Sequence, residues 1–178
     1  SYGLKDKGLV LSLEDIKDRE KWMDAGIELP SQNIETIREN TKSTPQWIHF
    51  GAGNIFRGYI AGIADTLMGE GELDTGIIAV ETFDGEIIDK IYDPYDMLTL
   101  SVGLKSDGDS IKKVTAGIGD AIKVDAEGFA KLRSYATQDS LQMISLTITE
   151  KGYACTDISG NVLGYIENDI KEGPEKIA

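Results

Sequence analysis

Trp47-Ile48-His49-Phe50-Gly51-Ala52-Gly53-Asn54-Ile55-Phe56-Arg57-Gly58 decides the fold of this chain. Thr44 and Pro45 break the backbone ahead of it, and a short apolar strand then runs straight into two glycines one residue apart. Behind them Ile55, Ile60, Ile63, Ala64, Leu67 and Met68 recur at helical spacing until Gly69 and Gly71 end the pattern. Strand, glycine turn and helix in that order open a dinucleotide-binding unit. The first glycine makes the tight turn, the second lets the backbone approach a pyrophosphate, and the first helical N–H groups face the anion. Each interaction of that helix-terminus kind is worth about 0.3–1 kcal/mol when exposed and up to about 2 when partly buried. Phe56 stands where the usual fingerprint has a third glycine, so looser packing of helix on strand is expected. A glycine turn without a ligand is the alternative for this segment taken alone.

Downstream, Gly76-Ile77-Ile78-Ala79-Val80 is a continuous apolar run of the type buried on both faces of a parallel sheet. Glu81 sits at its tip, and Asp84 begins a short helical stretch with Ile87, Ile88 and Ile91 on one side. Beyond Pro94 the period changes to two: Leu98, Leu100 and Val102 alternate with Thr99, Ser101 and Gly103. Asp107-Gly108 supplies a hairpin turn into a second strand from Ile111 to Ile118. A helix is expected over residues 125–136, then a buried strand from Met143 to Ile148 ending at Thr149-Glu150-Lys151-Gly152-Tyr153. The pattern predicts an α/β, Rossmann-type domain with a mostly parallel sheet, an antiparallel hairpin insertion and an N-terminal helical arm.

The arm is residues 1–44, and the dinucleotide-binding domain is residues 45–178. In the arm, Ser12 three residues before Asp15 opens a helix through Trp22 and Met23, and Pro30-Ser31 opens a second around Ile34 and Ile37. With 178 residues, 40% of them hydrophobic and 28% charged, one soluble domain is expected. A net charge of -13 argues against nucleic acid and anionic membranes as partners, but says little about a small phosphate ligand held by backbone dipoles. No window is long and apolar enough for a membrane span, the single Cys155 cannot form an internal disulfide, and a cytoplasmic location is expected. A sole histidine, His49, excludes an intrachain site with two histidine ligands, and no metal is expected.

Glu81 and Asp84 are the candidates for the ribose of a dinucleotide. A carboxylate at the end of the second strand accepts from both ribose hydroxyls and repels a 2′-phosphate. The remaining chemistry-bearing residues have plainer readings. His49, beside Trp47 and Phe50 on a strand, is expected to be a packed, hydrogen-bonded histidine, and Lys151 an exposed loop lysine. Tyr153 packs or lines a cleft, and Cys155, with no basic neighbour except Lys151 and no histidine near it in sequence, is not expected to be a reactive thiolate.

His49-Phe50-Gly51-Ala52-Gly53-Asn54-Ile55, with Arg57-Gly58, resembles the opening of the mannitol-1-phosphate 5-dehydrogenases. Ser145-Leu146-Thr147-Ile148-Thr149-Glu150-Lys151-Gly152-Tyr153 is similar to the mid-domain motif of the mannitol 2-dehydrogenase and fructuronate reductase branch, and Asp96-Met97-Leu98-Thr99-Leu100 resembles a strand of that branch. The resemblance covers roughly residues 27–170 and points to the polyol-specific long-chain dehydrogenase/reductase family. It implies a zinc-independent, NAD(P)-linked oxidoreductase that acts on a sugar alcohol or aldonate and its keto partner, and Asp84 points to NAD over NADP. It assigns Gly51, Ala52, Gly53, Asn54, Ile55, Phe56 and Arg57 to the pyrophosphate turn and Asp84, in preference to Glu81, to the adenosine ribose. Thr149 and Glu150 are then expected beside the nicotinamide. Phe56 departs from both branches, which carry histidine or glycine at that position.

In this family a lysine base lies on a Lys-x-x-x-x-Asn-x-x-His pattern in a C-terminal helical domain. No lysine here has Asn at +5 and His at +8, and Pro174-Glu175-Lys176-Ile177-Ala178 resembles the start of a family helix. The expectation is therefore the cofactor-binding N-terminal part of a longer enzyme, with no catalytic residue of its own and no turnover alone. A nucleotide-sensing or interaction module that keeps the fold without the chemistry is the alternative.

Overall fold

The computed structural model describes residues 3–173, apart from the side chains of Glu150 and Lys151. The expectation for Pro174 to Ala178 lies outside the described residues. Two compact units divide between Thr147 and Ile148. In the first, α1 (Arg19–Asp24) and α2 (Ile34–Ser43) are capped by Asp18 and Asn33, whose side chains accept from the Lys21 and Thr36 N–H groups. Between them lies β1 (Ile27–Glu28), and after them β2 (Trp47–Phe50). A wide π turn over Phe56–Ile60 leads into α3 (Ala61–Gly69), then β3 (Ile77–Glu81). A second π turn, Ile88–Tyr92, precedes β4 (Thr99–Leu104) and β5 (Ser110–Thr115). β6 (Ile118–Lys123), α4 (Ala126–Ala136) and β7 (Met143–Leu146) complete the unit.

The main sheet has the order β6-β3-β2-β7 and is parallel throughout. Numbered by chain order within the sheet, this is 3-2-1-4, the Rossmann-type order in which the succession of strands across the sheet reverses between β2 and β7. In register, Phe50 lies opposite Val80 on one side and Leu146 on the other, so the carboxyl ends of three strands lie side by side. Alternation sorts the side chains onto two faces. Ile77, Ala79 and Ile118 pack against Phe56, Ala61, Ala64 and Met68, with Ile37, Ile88 and Tyr92 behind them. Ile48, Ile78, Val80 and Ile122 pack against Leu132 and Tyr135 of α4. Among them Ile48, Ile77, Ile78 and Val80 are essentially inaccessible to water, and each full burial stabilises by roughly 1.5–3 kcal/mol.

A second sheet, β1-β5-β4, is the expected hairpin with an added strand: β4 and β5 are antiparallel, and β1 from the arm pairs parallel with β5. The arm packs there too, with Leu9, Leu11, Ile16, Trp22 and Ile27 against Leu98, Val114 and Ala116. Three expectations need correction. The helix expected from Ser12 to Met23 is a 3-10 turn at Asp15–Lys17 and the separate α1, because Asp18 caps a new start. The strand expected from Ile111 to Ile118 stops at Thr115; at Gly117 the backbone passes so near α3 that a Cβ would lie 1.9 Å from the Ala61 carbonyl oxygen, and Ile118 begins a strand of the other sheet. The strand expected to be buried through Ile148 ends at Leu146 and is a partly open edge, Ile144 and Leu146 being 55% and 58% exposed, because β2 is its only described neighbour.

The second unit holds a 3-10 turn at Glu150–Tyr153, a bridge between Thr156 and Val162, and α5 (Gly164–Glu172). Asp157 turns its loop by accepting from the Ser159 and Asn161 N–H groups, which with the Asn161 side-chain amide hold its carboxyl below the usual carboxylate range.

Candidate functional site

At the carboxyl ends of β2, β3 and β7 the candidate site is built around the turn after β2. Gly51 has φ +107, and its N–H donates to the Val80 carbonyl at 2.8 Å. A Cβ at Gly51 would lie 2.5 Å from Thr147 Oγ1 and 2.9 Å from the Thr147 carbonyl oxygen. Only glycine fits between β2 and the end of β7. Gly53 is the opposite case: a Cβ there would meet nothing within 4 Å, so its backbone faces open space. Among the described residues, nothing accepts from the Gly53, Asn54 or Ile55 N–H groups, whereas the Arg57 N–H donates to the Gly53 carbonyl at 3.1 Å. Three free N–H groups at the start of a helix, next to a backbone without side chains, suit an anion.

Ala52 is fully buried and both of its backbone groups are engaged. Its N–H donates to Glu81 Oε2 at 3.1 Å, and its carbonyl accepts from the Tyr92 hydroxyl at 2.9 Å. The second Glu81 oxygen accepts from the Phe83 N–H at 2.9 Å and the Asp84 N–H at 3.3 Å. Glu81 therefore ties the glycine turn to the loop after β3. Asp84 is exposed at the start of that loop, and its carboxylate accepts no hydrogen bond among the described residues. Arg57 is held over the turn by donating to Asn54 Oδ1, and its buried Nε has no partner among the described residues.

Phe56 does not loosen the packing. It is fully buried, and its ring stacks on His49 with centroids 4.4 Å apart and planes 10° from parallel. The π turn gives the room a regular α turn would deny, so bulk at the third-glycine position is accommodated by a wider helix start. His49 is also fully buried, the packed histidine expected. Trp47 Nε1 donates to Ser145 Oγ at 2.7 Å, which frees the serine proton to go to His49 Nδ1, also at 2.7 Å. That assignment leaves His49 Nε2–H to donate to Thr147 Oγ1 at 3.1 Å. Burial holds the His49 pKa below its ordinary value, so the ring is neutral at pH 7. The pair joins β2 to β7 beneath the turn.

The structure thus brings Gly51, Ala52, Gly53, Asn54, Ile55, Phe56 and Arg57 together, with Glu81 on the turn and Asp84 at the loop after β3. Ile55 is 71% exposed beside it. Thr149 and Glu150 belong to the second unit, where the exposed Thr149 accepts from the Gly152 N–H at 2.8 Å; the Glu150 and Lys151 side chains lie outside the described residues. Cys155 is exposed. Among the described residues no group of acidic, histidine or cysteine side chains is placed to hold a metal, and no helix is long and apolar enough to cross a membrane. Sequence reasoning missed Tyr92 and the Ser145–His49–Thr147 chain; the signal for Tyr92 was its place four residues beyond Ile88 on the same apolar side.

No family model matches the chain. It is 43% identical over 166 residues to the D-mannonate oxidoreductase of Thermotoga maritima, a match covering 92% of this chain and 31% of that protein. The crystal structure of a D-sorbitol dehydrogenase in substrate-free form is similar with a TM-score of 0.66 and 25% identity, over 85% of this chain and 31% of that one. The ternary complex of Pseudomonas fluorescens mannitol 2-dehydrogenase with NAD and D-mannitol is similar with a TM-score of 0.64 and 26% identity, over 82% of this chain and 29% of that one. The chain spans about a third of the length of the curated relative it matches, 31%.

Proposed function

We propose that the chain belongs to the polyol-specific long-chain dehydrogenase/reductase family, that of the mannitol dehydrogenases, and that it supplies the NAD site of an oxidoreductase interconverting a sugar alcohol or aldonate and its keto sugar. The observation that carries the reading is the glycine turn. Open N–H groups at Gly53, Asn54 and Ile55 lie where the sheet order reverses, the place where open α/β sheets bind dinucleotides. The residues fit the group: Gly53 leaves room for a pyrophosphate against the backbone, and Arg57 has an unpartnered buried nitrogen beside it. Bound NAD would take up or return a hydride. Gly53, Asn54 and Ile55 would hold its pyrophosphate through backbone N–H groups, with Arg57 adding charge. Asp84, rather than the engaged Glu81, would accept from the adenosine ribose and disfavour NADP. For Thr149 and Glu150, a place beside the nicotinamide rests on the Ser145 to Tyr153 motif alone. Identity to a D-mannonate oxidoreductase favours mannonate and fructuronate over mannitol and fructose as the substrate pair.

Calorimetric titration with NADH and NADPH at equal salt tests this. Saturable binding that prefers NADH is expected, and Asp84→Ala should narrow the preference by about tenfold, one charge-assisted hydrogen bond's share. An Asp84→Ala variant with no relative gain for NADPH would count against the ribose assignment.

A further inference from the structure

We propose that Tyr92 is a positioning residue for the pyrophosphate turn: its hydroxyl, donating to the Ala52 carbonyl, fixes the peptide plane that aims the Gly53 N–H group. This rests on the dinucleotide reading of the same turn.

The Ala52 carbonyl is the point at which the turn can rotate. In a regular helix start it would accept from the N–H four residues on, that of Phe56. No such bond forms among the described residues, and the buried Tyr92 hydroxyl takes the carbonyl instead, 2.9 Å away. With Glu81 on the Ala52 N–H, the residue is held from both ends. A buried carbonyl deprived of its donor must find another. Capturing the Phe56 N–H would tighten the turn and re-aim the groups that follow.

Tyr92 is itself fixed in place. It ends the π turn Ile88–Tyr92, is 1% exposed, and packs in the same apolar cluster as Ala52, Phe56 and Ile88. Its carbonyl accepts from the Met97 N–H at 2.8 Å across a reversal in which Asp96 and Met97 both have positive φ, 51 and 56. Asp96 is anchored in turn: its carboxylate accepts from the Leu13 N–H at 2.8 Å, and its carbonyl accepts from Arg38. The arm thereby helps to fix the tyrosine that fixes the turn. Burial pushes the phenol pKa well up, so the hydroxyl keeps its proton at neutral pH and remains a donor.

Tyr92→Phe removes the donor and keeps the ring. Ile88→Val, in the same cluster, serves as a control that trims the core without touching the turn. Tyr92→Phe should weaken both NADH and ADP about tenfold, the share of one hydrogen bond, while leaving adenosine, which has no phosphate, unchanged. Hydrogen exchange at the Ala52 and Arg57 amides, measured without ligand, should quicken by a similar factor. Ile88→Val should alter neither. Tyr92→Phe with wild-type affinities for NADH and ADP, or with unchanged exchange at both amides, would overturn the inference. An equal loss in Ile88→Val would also overturn it, since that would report core stability alone. Failure of the wild-type chain to bind NADH would contradict the dinucleotide reading instead, and the exchange rates would still decide the role of Tyr92.

Discussion

At the scale of single residues, the two glycines of the turn do different work. Gly51 is required by the fold: positive φ and the closeness of Thr147 leave no room for a methyl group. Gly51→Ala should therefore destabilise by at least about 2 kcal/mol, read by urea unfolding. Gly53 has ordinary φ and open space, so Gly53→Ala should keep or slightly raise stability yet lose dinucleotide affinity, because the added methyl enters the space a pyrophosphate needs. Equal effects of the two on stability would contradict this division. His49 gives a pH prediction. Its folded pKa is depressed by burial below the ordinary 6.5, so the unfolded chain takes up a proton first as pH falls. The stability it confers is complete above about pH 6.5 and declines as pH drops from there toward the lower folded value. As the sole histidine, it can be isolated: His49→Gln should flatten the slope of stability between pH 7 and 5.5. A slope unchanged in that variant would refute the assignment.

At the scale of elements, the wide helix start and the aromatic ring within it depend on each other. Phe56→Ala should cost about 3–5 kcal/mol, as for other buried aromatic rings, measured by thermal or urea unfolding. A loss below about 1 kcal/mol would mean the turn collapses into a regular helix and fills the space. The elements legible in sequence were those with a single period: the four residues of β2, the apolar run of β3, α3, α4 and the β4–β5 hairpin. Those that were missed carry residues whose reason lies elsewhere in the fold. β6 contains Gly119 and Asp120, which spoil an apolar run. Yet a Cβ at Gly119 would lie 2.4 Å from Thr41 Oγ1, and Asp120 is satisfied by Tyr135 at 2.6 Å and by Lys131 at 2.7 Å. β1 is two residues long and exists only through its pairing with β5. Of the site, the glycine turn and its acids were legible because local spacing carries them. Tyr92 was not, because the 40 positions that separate it from Ala52 are closed only by the folded chain.

At the scale of the whole molecule, a net charge of -13 surrounds a turn that presents N–H groups outward. Long-range repulsion is screened within about 8 Å at physiological salt, so local dipoles and Arg57 govern a small anion at contact. The chain spans 31% of its curated relative, and its sheet contains the point at which the order reverses. This turn, and no other surface, is proposed to receive the dinucleotide. The most direct measurement is an NADH titration followed by backbone amide chemical shifts. Saturable changes are expected that peak at Gly53, Asn54, Ile55 and Arg57 and extend to Asp84 at the loop after β3. Saturation with changes centred elsewhere, or none at the turn, would contradict that proposal.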